Sequence, residues 1–208
     1  MGDPLIKNKI RQQLNISQDA NVLVYSGSIG GNYDMEIMLN IFLAYQKKIP
    51  KSFFLILSKD EIKDQIADFK SKGIESITVL NLPFTSVSDY LIAADVGLII
   101  YKLSYSTIGR SPTKLGEYWA SGLPVITLKN IGDVDYLEKQ YPKSITLLNP
   151  DLSNLQEELE RLLPPSKELL RSYGENYFHI NKGVRFYDNV YRRLSADAKK
   201  QTLPIQTN

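Results

Sequence analysis

Residues 21–31 read Asn-Val-Leu-Val-Tyr-Ser-Gly-Ser-Ile-Gly-Gly, which is a short apolar run followed by a loop rich in glycine. From Met35 to Tyr45, apolar residues then recur at helical spacing. This stretch predicts a β-strand, a glycine-bearing loop and an α-helix, in that order.

The same unit recurs along the chain as far as residue 150. Further apolar runs that predict strands occur at Phe53–Leu57, Ile77–Leu80, Val96–Ile100, Pro124–Leu128 and Ile145–Leu148. Helical patterns between them cover residues 62–69, 87–93, 115–120 and 134–141. Parallel strands need crossover connections, which are usually helices. We therefore predict a Rossmann-like, doubly wound α/β fold, with a parallel sheet of about six strands and a helical C-terminal tail.

The pattern divides the chain into four parts. We expect an N-terminal helix at 1–20, whose first four residues resemble a cloning remnant, and the Rossmann-like domain at 21–150. C-terminal helices that pack on this domain should occupy 151–195, and a flexible polar tail 196–208.

The composition excludes several classes of protein. A hydrophobic fraction of 43%, a charged fraction of 23% and a net charge of +2 describe an ordinary globular protein, without the basic stripe of a nucleic-acid binder. The sequence has no cysteine and no apolar run long enough to span a membrane, and residues 1–4 do not show the basic and then apolar pattern of a secretory leader. We expect a cytoplasmic protein with no cofactor and no metal ion. The single histidine, His179, is expected to be structural or exposed rather than catalytic.

Two loops could carry chemistry. The loop with Gly27, Ser28 and Gly30 would let a phosphate approach the backbone at a helix start, although it matches neither a dinucleotide fingerprint nor a P-loop. A βα turn without a ligand is an equal alternative.

The second candidate is the segment from Ser111 to Glu117. Ser111 is predicted to cap a helix and Pro112 to occupy its first turn. Lys114 and Glu117, three residues apart, lie near one helix face. Spacing alone favours an ion pair between them. The alternative is that Lys114 binds anionic oxygens and Glu117 binds a pair of sugar hydroxyl groups. Asp133 and Asp135 are read as a solvated helix start.

Three segments in order resemble one family. Ser-Pro-Thr-Lys-Leu-Gly-Glu-Tyr at 111–118, followed by Gly-Leu-Pro-Val-Ile at 122–126, resembles the donor-site signature of retaining GT-B glycosyltransferases of group 1, the family 4-like enzymes. Residues 24–30 are similar to the first βα loop of that family. Residues 82–98 are similar to its base-binding loop and the helix and strand that follow. The resemblance covers residues 21–149, which would form the C-terminal, nucleotide-sugar donor-binding domain.

The resemblance also implies the roles of particular residues. Glu117 would bind the ribose hydroxyls, the start of the helix would hold the diphosphate, and the loop before residue 85 would lie beside the base. The first βα loop would face the phosphates or the acceptor. The implied donor-binding residues are Gly27, Ser28, Gly30, Pro83, Phe84, Ser111, Pro112, Thr113, Lys114, Leu115 and Glu117.

The sequence departs from the family pattern at two places. Many relatives have an acidic residue where Gly109 stands, and many have an arginine and a lysine in or after the first βα loop, whereas residues 26–43 contain neither. Lys114, and after it Arg110 or Lys102, would supply the missing positive charge.

The function that the resemblance implies is hexosyl transfer from a UDP- or GDP-linked sugar, with retention, in polysaccharide or glycoconjugate biosynthesis. The acceptor would be held by a missing N-terminal domain, so we expect the fragment alone to be inactive, and no catalytic residue is identified. Alternatives are a non-catalytic nucleotide-binding or interaction module and a nucleotide-sugar epimerase-like enzyme. The aromatic stripe in residues 177–191 is interpreted as core contacts, and peripheral membrane contact through it is not expected.

Overall fold

The computed structural model describes residues 4–71 and 73–201, except the side chains of Lys63, Asp64 and residues 197–201. The strands are β1 (Asn21–Ser26), β2 (Ser52–Leu57), β3 (Ile77–Leu80), β4 (Val96–Ile99), β5 (Val125–Leu128) and β6 (Ile145–Leu148). The helices are α1 (Pro4–Gln13), α2 (Met35–Lys48), α3 (Lys63–Ser71), α4 (Phe84–Ala93), α5 (Thr113–Ala120), α6 (Val134–Gln140), α7 (Leu155–Glu160), α8 (Lys167–Phe178) and α9 (Ile180–Gln201), with a 3-10 helix at Tyr105–Gly109.

The strands form one sheet with the order β3-β2-β1-β4-β5-β6. Every neighbouring pair is parallel, and the helical connections cover both faces of the sheet. The predicted Rossmann-like, doubly wound fold is therefore confirmed. The strand order reverses between β1 and β4, and in sheets of this type ligands bind outside the carboxyl ends of the strands at that switch point.

The apolar runs explain why the strand bounds were predictable. Residues 22–25 of β1 and all of β4 are buried, because a parallel sheet is covered on both faces. The predicted and observed bounds of the strands agree to within one residue. The helices agree less well at their ends: α4 begins at Phe84, three residues before the predicted start.

The N-terminal helix is part of the domain because Arg11 anchors it. This side chain is only 1% exposed, and it donates hydrogen bonds to the carbonyl oxygens of Ala93 (3.0 Å) and Ala20 (2.8 Å) and to the carboxylate of Asp95 (2.6 Å). Burial raises the pKa of Asp95, but hydrogen bonds from Lys7 and the Val22 N–H, with the charge of Arg11, lower it by more. The result is a charged cluster that ties α1 to the strands at the centre of the sheet. Residues 1–3 lie outside the described part of the chain.

The C-terminal helices only partly match the prediction. Helix α8 packs on α5, where the Trp119 ring meets the rings of Tyr173 and Phe178 at 6.0 and 5.9 Å. Within this chain only part of the aromatic stripe makes core contacts, because Phe186 is 67% exposed and Tyr191 66% exposed on α9. No described element of this chain covers that part of α9.

The two C-terminal helices are separated at His179, which is exposed. Helix α9 continues to Gln201, inside the predicted flexible tail, and residues 202–208 lie outside the described residues. In the described part of the chain, no helix is both long and apolar enough to cross a membrane.

Replacing Arg11 with methionine should lower the free energy of unfolding by about 3–5 kcal/mol, because it leaves buried carbonyl oxygens and Asp95 without their donor. Urea unfolding measured by circular dichroism gives the value. The matched control is Arg161→Met, because Arg161 and Glu157 form an exposed pair that should contribute about 0–1 kcal/mol. Equal losses in the two variants would contradict the anchoring role of Arg11.

Candidate functional site

The loops after β1 and β4 meet at the switch point of the sheet. Tyr33 and Tyr101 form an isolated antiparallel bridge, and the N–H of Lys102 donates to the carbonyl oxygen of Asn32 at 2.8 Å. These bonds hold the glycine-bearing loop, residues 27–33, against the end of β4. The two loops therefore form one wall of the crevice in which a ligand is expected.

Lys114 of α5 points into this wall. Its Nζ atom lies 3.9 Å from the ring centroid of Tyr33, 5.1 Å from that of Tyr25 and 6.0 Å from that of Tyr101. We call these three rings the tyrosine cage. The end of the lysine side chain also lies against Gly27, because a Cβ at that position would be 2.5 Å from both Cε and Nζ of Lys114. Glycine at 27 thus leaves room for the ammonium group, and its φ of +144° is one that residues with a side chain rarely adopt.

The close packing of the cage changes the pKa values of the hydroxyl groups of Tyr33 and Tyr101. Burial raises the pKa of Tyr33, but the ammonium of Lys114 and the hydroxyl of Tyr101 lower it by more, so this pKa lies below its ordinary value. Burial and the neighbouring Tyr33 raise the pKa of Tyr101 to about 12. All three rings were missed by sequence reasoning. The available signal was that Tyr25 and Tyr101 stand at the ends of two strands that meet at the same sheet edge.

The other two candidate cations are placed differently. The guanidinium of Arg110 lies 5.6 Å from the centroid of the Tyr101 ring and donates to the hydroxyl of Ser106 at 3.2 Å. The side chain of Lys102 is exposed, and it makes none of the cage contacts. Arg110 and Lys114 therefore approach one aromatic ring, and Lys102 stands apart from them.

The start of α5 differs from the prediction in its cap. The helix begins at Thr113 with Pro112 in the N-cap position and no side-chain capping bond, so the prediction that Ser111 caps it is wrong. Ser111 instead donates its hydroxyl to Asp133 at 2.9 Å, and the hydroxyl of Tyr177 donates to the same carboxylate oxygen at 2.9 Å. The N–H of Leu115 donates to the carbonyl oxygen of Pro112, and the N–H groups of Thr113 and Lys114 are left for an anion.

Asp133 is also placed differently than expected. One of its carboxylate oxygens accepts the two hydroxyl bonds, and the other is buried without a partner among the described residues. The prediction of a solvated helix start is therefore wrong at this residue. Asp133 instead joins the start of α5 to the end of α8.

Glu117 lies one turn along α5 from Thr113 and is exposed. It lines a groove of about 570 Å³ between α4 and α5, whose other walls include Phe84, Leu91 and Arg171. Lys114 and Glu117 do not form the ion pair that their spacing favours. The ammonium group is in the cage, and the carboxylate faces the groove.

A second cavity of about 200 Å³ adjoins the groove. Ser26, Gly27 and Ser28 line one side of it, and Phe84, which also lines the groove, lies on the other. The Phe84 ring is 78% exposed and follows Pro83 at the start of α4. The groove and the cavity share Phe84 and Val87 in their linings, so the candidate site extends from Glu117 to the glycine-bearing loop.

Three predicted site residues support or shape the backbone of the site loops. Leu115 is fully buried, and its N–H donates to the carbonyl oxygen of Pro112 at 3.0 Å, so both residues support the start of α5 from inside. Gly30 has a φ of +82° and open space around it. These positions shape the backbone of the two loops.

Comparison with solved structures identifies the fold. No protein-family model matches the sequence, and no curated protein matches it. The structure resembles the C-terminal domain of a group 1 glycosyltransferase, LpcC, from Francisella tularensis, with a TM-score of 0.58 and 16% identity over 82% of this chain and 88% of that chain.

Two longer glycosyltransferase chains also match. HepE from Anabaena, solved with UDP-glucose, has a TM-score of 0.68 and 15% identity over 93% of this chain and 53% of its own. WaaG, a glycosyltransferase of lipopolysaccharide biosynthesis, has a TM-score of 0.59 and 20% identity over 84% of this chain and 46% of its own.

The protein thus belongs structurally to the Rossmann-like, doubly wound class. Within that class it has the fold of the C-terminal domain of GT-B glycosyltransferases, as the resemblance of the sequence predicts. The chain spans about half the length of WaaG and HepE.

Gly132 provides a test of how the loop before α6 supports the site. Its φ is +52°, and a Cβ there would overlap the carbonyl oxygen of Arg110, just before the start of α5. Gly31 has a similar φ of +57° but open space around it. Gly31→Ala should therefore lower the free energy of unfolding by about 1–2 kcal/mol, through backbone strain alone. Gly132→Ala should cost about 1–3 kcal/mol more, because backbone must also move.

Equilibrium urea unfolding of the two alanine variants measures both values. Equal losses would show that the loop at Gly132 does not press against the segment that begins α5.

Proposed function

We propose that this chain is the donor-binding domain of a glycosyltransferase and that its site binds a nucleoside diphosphate sugar. The observation that carries the proposal is that one helix presents an ammonium group and an exposed carboxylate to two neighbouring parts of the site. Lys114 faces the glycine-bearing loop, and Glu117 faces the groove beside α4. An anion would meet the ammonium and the first N–H groups of α5. A ribose would meet the carboxylate, which accepts hydrogen bonds from two hydroxyl groups.

The position of Lys114 accounts for the main departure from the family pattern. Residues 26–43 contain no lysine or arginine to neutralise a diphosphate. The end of the Lys114 side chain nevertheless lies against Gly27, so α5 delivers a positive charge to that loop. Arg110, which lies over the ring of Tyr101, would add a second positive charge. The base would lie in the cavity between the glycine-bearing loop and Phe84.

The reaction in this proposal is transfer of a hexosyl group with retention of configuration. Charge develops on the departing diphosphate, and donors fixed at the start of α5 would stabilise it without reorganising. No described residue is assigned as the catalytic group. HepE, the similar chain solved with UDP-glucose, supports a UDP-linked donor. A GDP-linked donor is the alternative, and the titration below includes both nucleotides.

The acceptor would be held by an N-terminal domain that this chain does not contain. Two observations support that partner: the chain spans about half of the similar transferase chains, and α9 exposes an apolar face. That face consists of Ile180, Val184, Tyr187, Tyr191 and Leu194, which recur at helical spacing and are 58–75% exposed. The chain alone should bind donor without turning it over.

A non-catalytic nucleotide-binding module is the second candidate. The observation in its favour is Gly109, which stands where many relatives have an acidic residue and has open space around it. Such a module would bind a nucleoside diphosphate and the corresponding nucleoside diphosphate sugar equally well. A transferase domain should gain affinity from the hexose.

Glu117→Gln should weaken the binding of UDP or GDP about tenfold or more, because a hydrogen bond to a charged group contributes about 1.5–3 kcal/mol. Isothermal titration calorimetry with both nucleotides, their glucose and mannose conjugates, and the matching nucleosides measures this loss. Glu160→Gln is the matched control, since Glu160 is exposed on α7 far along the chain from the site. If no nucleotide binds the unmodified chain, the donor-site proposal is wrong.

Lys114→Met should weaken the binding of the nucleoside diphosphate about tenfold or more and leave the nucleoside unaffected, because only the former presents phosphate oxygens to the ammonium. Lys139→Met, at an exposed position near the end of α6, serves as the control. A parallel loss of affinity for the nucleoside would place Lys114 beside the base or the ribose instead of the phosphates.

A further inference from the structure

The tyrosine cage holds a positive charge without neutralising it. Among the side chains that the structure describes, no carboxylate lies within 4.0 Å of the ammonium of Lys114. Its neighbours are the rings of Tyr25, Tyr33 and Tyr101, the hydroxyl of Tyr33 and the backbone at Gly27. Lysine side chains usually extend so that the ammonium reaches bulk water. A lysine drawn back among aromatic rings therefore needs a physical reason.

The cage is built from elements on both sides of the switch point. Tyr25 is the last but one residue of β1 and is buried, and its hydroxyl donates to the carbonyl oxygen of Ser28. Tyr33 lies on the loop and stacks on Tyr101, with ring centroids 5.0 Å apart, while the Tyr25 ring meets it edge-on at 5.9 Å. The three rings are thus fixed to each other and to two neighbouring strands.

Tyr33 has the central place in this arrangement. It contacts both other rings, it forms the bridge to Tyr101, and its centroid is the nearest of the three to the ammonium, at 3.9 Å. An aromatic face attracts a cation through its quadrupole but carries no formal charge. Such a face can orient an ammonium group and still leave its charge for an incoming anion, whereas a carboxylate would compete with the anion.

We propose that Tyr33 is a positioning residue, which with Tyr25 and Tyr101 holds the ammonium of Lys114 over Gly27, ready for the diphosphate of the donor. The inference rests on the proposed function, because it assumes that a nucleoside diphosphate binds at this loop. It goes further in giving a role to residues outside the family motif. A lysine fixed before binding loses less side-chain entropy when the anion arrives, and that difference appears as affinity.

The test compares Tyr33→Leu, Tyr33→Phe and Tyr105→Leu. The leucine at 33 removes the aromatic face, and the phenylalanine keeps the face but removes the hydroxyl. Tyr105 is 93% exposed on the neighbouring loop, so its replacement controls for the loss of a surface tyrosine. The probes are inorganic pyrophosphate, UDP and uridine, each titrated calorimetrically. Tyr33→Leu should weaken the binding of pyrophosphate and UDP about three- to tenfold and leave uridine unchanged. Tyr33→Phe keeps the aromatic face and loses only the hydroxyl contacts with Lys114 and Tyr101, so its loss of affinity should be clearly smaller than that of Tyr33→Leu.

A spectroscopic measurement checks the cage without any ligand. In the unmodified ¹³C-labelled chain, ring currents should shift the Hε protons of Lys114 upfield from those of the exposed lysines. Lys114→Arg assigns the signal. The shift should persist in Tyr33→Phe and largely disappear in Tyr33→Leu, and pyrophosphate should perturb it.

The outcomes separate this inference from the proposed function. If pyrophosphate binds with the expected dependence on Tyr33 but no nucleotide does, the donor proposal fails and the positioning role stands. If UDP binds but Tyr33→Leu binds it as tightly as the unmodified chain, or more tightly, the positioning role is overturned and the donor proposal stands. An unshifted Lys114 Hε signal, or loss of affinity in Tyr33→Phe equal to that in Tyr33→Leu, also overturns it. If neither pyrophosphate nor any nucleotide binds, both are wrong.

Discussion

The hydroxyl of Tyr118 lies between the two strands at which the sheet reverses its order. It accepts a hydrogen bond from the N–H of Ser26 at the end of β1 and donates one to the carbonyl oxygen of Leu98 in β4. The ring fits because residue 97 is glycine, where a Cβ would lie 2.5 Å from it. Burial raises the pKa of Tyr118 above its ordinary value, so the hydroxyl stays protonated and able to donate. This contact fixes the rotation of α5 about its axis. Lys114, one turn earlier on the same face, must then point at the glycine-bearing loop, and Glu117 must point at the groove.

The charge distribution of the site follows from that orientation. A first loop without basic residues would be a poor partner for a diphosphate, yet the loop is supplied with a cation by a helix from the other side of the switch point. The bonds from Ser111 and Tyr177 to Asp133 then connect the start of this helix to the end of α8. Beyond His179, the apolar face of α9 is exposed. Helix α5 is therefore linked through a short series of contacts to the element proposed to meet the N-terminal domain.

The sequence was sufficient to predict the strands of the sheet, because each strand is indicated by a short local run of apolar residues. Runs such as Ile77–Leu80 and Ile145–Leu148 are bounded strands, and their alternation with helices leaves little choice of architecture. The motif at 111–118 likewise pointed to the switch point. The cap at Ser111 was wrong because its hydroxyl found a partner 22 residues away, which no local pattern encodes. The cage was missed for the same reason, since it needs the tertiary approach of two loops. The exposure of the stripe on α9 could not be predicted, because helical spacing shows that a face is apolar and does not show what covers it.

The central claim is that α5 presents its N-terminus and Lys114 to a diphosphate while Glu117 holds the ribose. A crystal structure of the chain with a bound nucleoside diphosphate tests it most directly. The account predicts phosphate oxygens within hydrogen-bonding distance of the Lys114 ammonium and the first N–H groups of α5, with the ribose hydroxyls on the Glu117 carboxylate. A nucleotide bound elsewhere, for example in the groove of about 520 Å³ between α3 and the edge strand β3, would contradict it.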